Sequence, residues 1–131
     1  MSIMYKSTRS SSEKVTASQA ILKGLAEDGG LFVPDSIPAL DIPLNRLPSL
    51  SYQETAYEVM KLYLSDFTED ELKACIQGAY DDKFDTKEIA PLVKKDGAFY
   101  LELFHGKTIA FKDMALWILP YLMTTSAKKN G

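Results

Sequence analysis

The chain has 131 residues, 46% hydrophobic and 25% charged, with a formal net charge of −3 and a single cysteine, Cys75, a composition that suits one compact domain. Its acidic balance, with basic points no denser than Lys94-Lys95 and Lys128-Lys129, argues against a nucleic-acid partner, and one cysteine excludes an internal disulfide, leaving Cys75 as core filler. The opening MSIMYKSTRSSSEK lacks the apolar core of a secretory signal, and the longest uncharged apolar run, Met114 to Met123, is ten residues including Pro120, about half of what a bilayer span needs; a cytoplasmic chain without membrane association is expected.

In chain order, MYKSTR reads as a strand. Thr16 with Gln19 then forms the first of three capping boxes, in which a Ser or Thr and a Glu or Gln three residues later satisfy each other's end of a helix start. The helix it opens, ASQAILKGLAE, is expected to stop at the glycines of Asp28 to Gly30, before a short strand LFVP. Residues 34–50 carry Pro34, Pro38, Pro43 and Pro48 and read as an extended surface crossing. Ser51 with Glu54 opens a second helix, with Ala56, Val59, Met60, Tyr63 and Leu64 on one face. Thr68 with Glu71 opens a third, with Leu72, Cys75, Ile76, Ala79 and Tyr80 repeating likewise. LVKKDGAFYLELF reads as a hairpin turning at Asp96-Gly97. A long last helix is expected from about Thr108 to Lys129, kinked or interrupted at Pro120. The fold class is α+β: a small antiparallel sheet with a hairpin, three packed helices and a long C-terminal helix.

Lys112 stands inside the apolar run HGKTIAFKDMALWILPYLM. With Ile109, Ala110, Phe111, Ala115, Leu116 and Leu119 around it, a helix there is expected to bury the lysine, and burial disfavours the ammonium and raises the fraction of free amine able to attack a carbonyl. The plainer alternative is a stem lying on apolar surface with its head in water, near Asp113. Periodicity alone favours the plainer alternative, since helical lysines usually reach water.

The words around Lys112 go further. LELFHGKTIAFKDMAL resembles the pyridoxal-phosphate lysine segment of threonine synthases, and STR (Ser7 to Arg9), ILKGLAEDGGLFVP (Ile21 to Pro34), LSYQE (Leu50 to Glu54) and IAPLV (Ile89 to Val93) are similar to that family's amino-terminal domain, in the same order. The resemblance implies a parent enzyme that uses pyridoxal 5'-phosphate to convert O-phosphohomoserine and water to threonine and phosphate. It implies Lys112 as the catalytic, cofactor-carrying residue, with His105, Thr108 and Asp113 as further cofactor-binding positions and no metal. Asp113 is expected to hold the helix start, Thr108 to be its N-cap, and Gly106 to permit a turn or close approach. His105 either lines the cofactor pocket or fixes the loop. Lys107 departs from the family pattern, which has proline or another uncharged residue there.

The resemblance also divides the chain into residues 1–104, an amino-terminal domain, and 105–131, the start of a catalytic lobe of the fold-type II class. No Gly/Ser/Thr-rich phosphate cradle follows Lys112, so the chain is expected to be a fragment that is inactive alone. Its last helix, residues 108–129, is expected to self-associate by exposing some of Phe111, Trp117, Ile118, Tyr121 and Leu122. Two alternatives remain: a paralogous lyase or dehydratase of the same cofactor class, and a non-catalytic interaction domain.

Overall fold

A computed structural model describes residues 2–10 and 13–131. Strand β1 (Tyr5–Ser7) lies between β2 (Lys14–Val15) and β3 (Phe32–Pro34), antiparallel to both, with Tyr5 opposite Val15 and Pro34. The sheet is tied to the helices by side chains: the Tyr5 hydroxyl donates to the Tyr63 carbonyl at 3.0 Å, and the Ile3 amide to Ser65 Oγ at 3.0 Å. The STR segment is pinned to the turn before β3. Ser7 donates to the Asp28 carboxylate at 2.6 Å, and Arg9 Nη1 donates to the Asp28 carbonyl at 2.9 Å.

All three capping boxes form, opening α1 (Ala17–Lys23), α2 (Tyr52–Tyr63) and α3 (Glu69–Ala79). Helix α1 ends earlier than its sequence suggests. Gly24 takes the C-cap position at φ 71° and its amide bonds the Ala20 carbonyl, because the first glycine after the last apolar position already supplies the positive φ that ends a helix. Asp28 to Gly30 instead belong to a tight turn closed by the Ala26 amide on the Gly30 carbonyl at 2.9 Å. The proline-rich crossing contains one 3₁₀ stretch, Leu44–Ser49.

The core gathers on α3, whose Leu72, Cys75, Ile76 and Ala79 are buried together with Phe67, Tyr80, Phe84, Ile89, Ile118 and Leu122. Fully burying a side chain such as Leu72 contributes roughly 1.5–3 kcal/mol. Helix α2 is only half-buried; Tyr52, Ala56, Tyr57, Met60 and Leu64 pack on the core, while Val59 is exposed. Strands β4 (Leu92–Lys95) and β5 (Ala98–Leu101) form the expected hairpin, turning on Asp96 and Gly97 at φ 50° and 80°, with both strands exposed.

The expected long last helix is two helices. One turn, α4 (Asp113–Leu116), is followed by α5 (Leu119–Asn130), with Pro120 in the first turn of the latter. Proline has no N–H to offer the preceding turn, but in the first turn of a helix that N–H has no partner to lose, so the break falls just before it. Helix α5 packs on α1 and α3. It is held there by Asn130 Nδ2 to Ser18 Oγ at 3.0 Å and by Lys129 to Glu71 at 2.9 Å. Of the five residues from which the exposed set was expected to come, Ile118 and Leu122 are buried in the core around α3, while Phe111 and Tyr121 are exposed. No helix of the described residues is long and apolar enough to cross a membrane.

Candidate functional site

The candidate site is the loop between β5 and α4. Its far end is closed by Asp113, the first residue of α4, which is buried. Thr108 donates to this carboxylate twice, from its amide to Oδ2 at 2.9 Å and from its hydroxyl to Oδ1 at 2.5 Å. The hydroxyl bond holds the Asp113 carboxyl below its ordinary value, against the opposing effect of burial. Gly106 belongs to the same latch. A Cβ built there would meet Asp113 Oδ2 at 2.5 Å, so only glycine lets the backbone come this close.

The latch imposes an unusual backbone. Ile109 sits at φ 60°, rare for a β-branched residue and costing about 1–3 kcal/mol. Its amide bonds the Gly106 carbonyl at 2.9 Å, and the Asp113 amide bonds the Ala110 carbonyl at 3.0 Å. These contacts, with the Thr108 latch, over-determine the turn. Ile109 and Phe111 are each 73% exposed.

Lys112 therefore does not lie within a helix. It is the N-cap residue of α4, and it is exposed rather than buried. The apolar neighbours were expected to surround it on a continuous helix; with 109–111 in a turn, Ile109 and Phe111 point their bulk to the surface. Thr108 likewise is not the N-cap but reaches across the loop to Asp113.

His105 is fixed at the near end. Its Nδ1 lies 2.5 Å from Asp85 Oδ1 and its Nε2 lies 2.8 Å from Glu102 Oε2, and its ring stacks on Phe104 with centroids 4.6 Å apart. The Asp85 amide also donates to the His105 carbonyl at 3.0 Å. The Glu102 and Asp85 bonds raise the imidazole above its ordinary value. Behind the loop, the Tyr80 hydroxyl donates to the Met114 carbonyl at 2.7 Å, fixing α4 to the end of α3. Burial pushes the Tyr80 phenol upward. The structure thus brings Thr108 and Asp113 into contact and sets Lys112 beside them, while His105 bonds two other residues. Asp85 and Tyr80 had no signal in the sequence beyond an acidic loop and a core repeat.

The donor set bears on what the site can hold. The Lys112 backbone carbonyl accepts from the Ala115 and Leu116 amides, but among the described residues its Nζ makes no hydrogen bond or ion pair, so its primary amine, the group that condenses with an aldehyde, is available. The amides of Thr108 and Ile109 are taken by Asp113 and Gly106, and so are not a cradle for a phosphate. The residues fit the amine half of a pyridoxal-phosphate site.

Residues 4–80 match the family described as Threonine synthase N terminus. Threonine synthase of Schizosaccharomyces pombe is 43% identical over 134 aligned residues, covering 98% of this chain and 26% of the relative. That of Saccharomyces cerevisiae is 43% identical, covering 86% and 24%. Among solved structures, a PLP-bound threonine synthase from Brucella melitensis superposes with a TM-score of 0.86 at 33% identity, over 99% of this chain and 28% of that one. Yeast threonine synthase gives 0.87 at 38% identity, over 96% and 26%. The chain spans about a quarter of the length of the curated relatives it matches. By this match across its strands, capping boxes and the Lys112 loop, the chain belongs to the threonine synthase family, in its amino-terminal portion.

Proposed function

We propose that this chain is the amino-terminal portion of a pyridoxal-phosphate-dependent threonine synthase, which converts O-phospho-L-homoserine and water to L-threonine and phosphate, and that Lys112 carries the cofactor. The observation that carries the reading is an unpaired lysine amine at the tip of a loop latched by Asp113, Thr108 and Gly106, within a segment similar to a PLP-bound relative. Pyridoxal phosphate, when bound, supplies an electron sink for carbanion chemistry. Lys112 would hold the aldehyde end of the cofactor, and its Nζ would serve as the proton carrier beside it. Asp113 and Thr108 act on Lys112 through the backbone, and of the two roles open for His105 its bonds to Asp85 and Glu102 support loop fixation.

Residues 1–104 form the amino-terminal domain in this reading, and 105–131 begin the catalytic lobe. Because the chain spans about a quarter of its relatives and offers an amine without a phosphate cradle, it is inactive by itself. The setting is cytoplasmic, supported by a buried, unpaired Cys75. The chain self-associates through residues 108–129, supported by the exposure of Ile109, Phe111, Leu116 and Leu119.

The test is incubation with pyridoxal 5'-phosphate, borohydride reduction and peptide mapping. Preferential label on Lys112 supports the reading. Label spread evenly over the surface lysines sinks it and favours a non-catalytic interaction domain. Activity of the longer natural protein on O-phosphohomoserine separates a threonine synthase from a paralogous lyase.

A further inference from the structure

Resting on that reading of Lys112, we propose that His105 is the imidazolium of a carboxylate clamp, closed by Asp85 and Glu102, which positions the Lys112 loop against residues 81–90 and loosens it when the ring loses its proton.

The geometry carries the protonation state. A neutral imidazole has one N–H donor and one lone pair, whereas the imidazolium donates from both nitrogens. Here both nitrogens face carboxylate oxygens, at 2.5 and 2.8 Å. A neutral ring would set its lone pair against one of these anions. Only the cation satisfies both sides, and each bond is then charge-assisted. Asp85 and Glu102 are the acidic groups in contact; Glu88 also feels the ring's charge, with Lys87 beside it. All the acidic groups facing the ring favour the cation.

The clamp joins two strained segments. Asp85 belongs to the stretch that ends at Ile89, which is buried at φ 61°. His105 immediately precedes Gly106, the start of the latch that holds Ile109 at φ 60°. Two backbone turns that cost free energy are thus braced on each other through one ring, reinforced by the Asp85 amide on the His105 carbonyl at 3.0 Å. Loss of the proton removes one arm of the brace, and of the two strained residues Ile109, beside Lys112, is exposed and free to relax, whereas Ile89 is held in the core. Asp85 and Glu102 are positioning residues for the lysine, acting through His105.

His105 is the single histidine in the sequence, so its imidazole signals are unambiguous in NMR. The experiment titrates the ring of the full 131-residue chain and follows amide hydrogen exchange at Thr108, Ile109 and Asp113, corrected for intrinsic pH dependence. Expected are a ring protonated on both nitrogens at neutral pH and exchange that speeds about tenfold or more as the ring deprotonates. Asp85→Asn, an isosteric change at a side chain 75% exposed, moves both midpoints down together; Asp82→Asn moves neither. A ring neutral at neutral pH, or protection that stays flat through the ring's titration, overturns the clamp. Borohydride labelling is run in parallel. No preference for Lys112 with coupled midpoints leaves the clamp standing and removes the cofactor reading; label on Lys112 with flat protection does the reverse.

Discussion

Asp113 and Gly106 are in closer contact than any other pair of residues could be at these positions: a Cβ on Gly106 would lie 2.5 Å from Asp113 Oδ2 and 2.7 Å from its Cβ. The carboxylate is held by Thr108 and has no free path of retreat. Gly106→Ala is therefore expected to destabilise the chain by about 1–3 kcal/mol, the range for overpacking a filled site. Urea unfolding measures this, and labelling by pyridoxal 5'-phosphate should lose its preference for Lys112 in the same variant. An unchanged unfolding midpoint would show that the latch is looser than this contact implies.

Acid should act on the paired carboxylates. The Asp28 carboxyl is held below its ordinary value of 3.8, first by the Ser7 hydroxyl and then by the Gly30 amide. A carboxyl depressed in the folded state contributes stability that is present above its unfolded value and is lost as pH falls through the lower folded value. Asp113 follows the same sign through Thr108. Thermal unfolding followed from neutrality down to about pH 2 should show Asp28→Asn less stable than the parent at neutrality and converging with it in acid. Parallel curves at all pH values would mean that Asp28 contributes nothing through its charge.

Helix starts were the most legible feature of the sequence, because a capping box is a local device: both partners lie within one turn, and tertiary packing does not rewrite it. The hairpin turn at Asp96-Gly97 was legible for the same reason. Two features were not. The end of α1 fell at Gly24 rather than at the paired glycines after Asp28, since several glycines offered the same backbone freedom and the first of them already supplied the positive φ that ends a helix. The apolar neighbours of Lys112 implied a continuous helix, within which a buried amine and a head reaching water were the two readings. The tertiary pair Thr108–Asp113 holds that stretch as a turn and exposes the lysine. His105 and Asp113 were visible as positions in a motif, whereas Asp85 is twenty residues from its partner and no spacing rule reaches that far.

The capping boxes themselves can be tested individually. Thr68 accepts from the Glu71 amide at 3.2 Å, and Glu71 returns to the Thr68 amide at 2.8 Å. Thr68→Ala should lower stability by about 1 kcal/mol. Leu72→Ala, in the same helix and 1% exposed, should lower it by about 2–5 kcal/mol, since a cavity opens in the core. A Thr68→Ala loss as large as that of Leu72→Ala would mean that α3 forms only with its cap intact, a degree of cooperativity that the packing of its apolar face does not require.

Two exposed apolar surfaces compete as sites of self-association. One is the turn before α4, with Ile109 and Phe111; the other is the hairpin, where Leu92, Phe99 and Leu101 are exposed on strands that, among the described residues, pair only with each other. A lone two-stranded hairpin has little stability of its own in water, and exposed apolar area of this kind gains from being covered. The proposal assigns association to residues 108–129. Sedimentation velocity over a concentration series should then show a rising weight-average coefficient that Phe111→Ser lowers and Phe99→Ser leaves alone. Both substitutions remove an exposed ring and should change stability by little more than about 0.5 kcal/mol, so a difference between them reports the surface and not the fold. Association abolished by Phe99→Ser and unaffected by Phe111→Ser would move the contact to the hairpin, and a monomer at every concentration would remove self-association altogether.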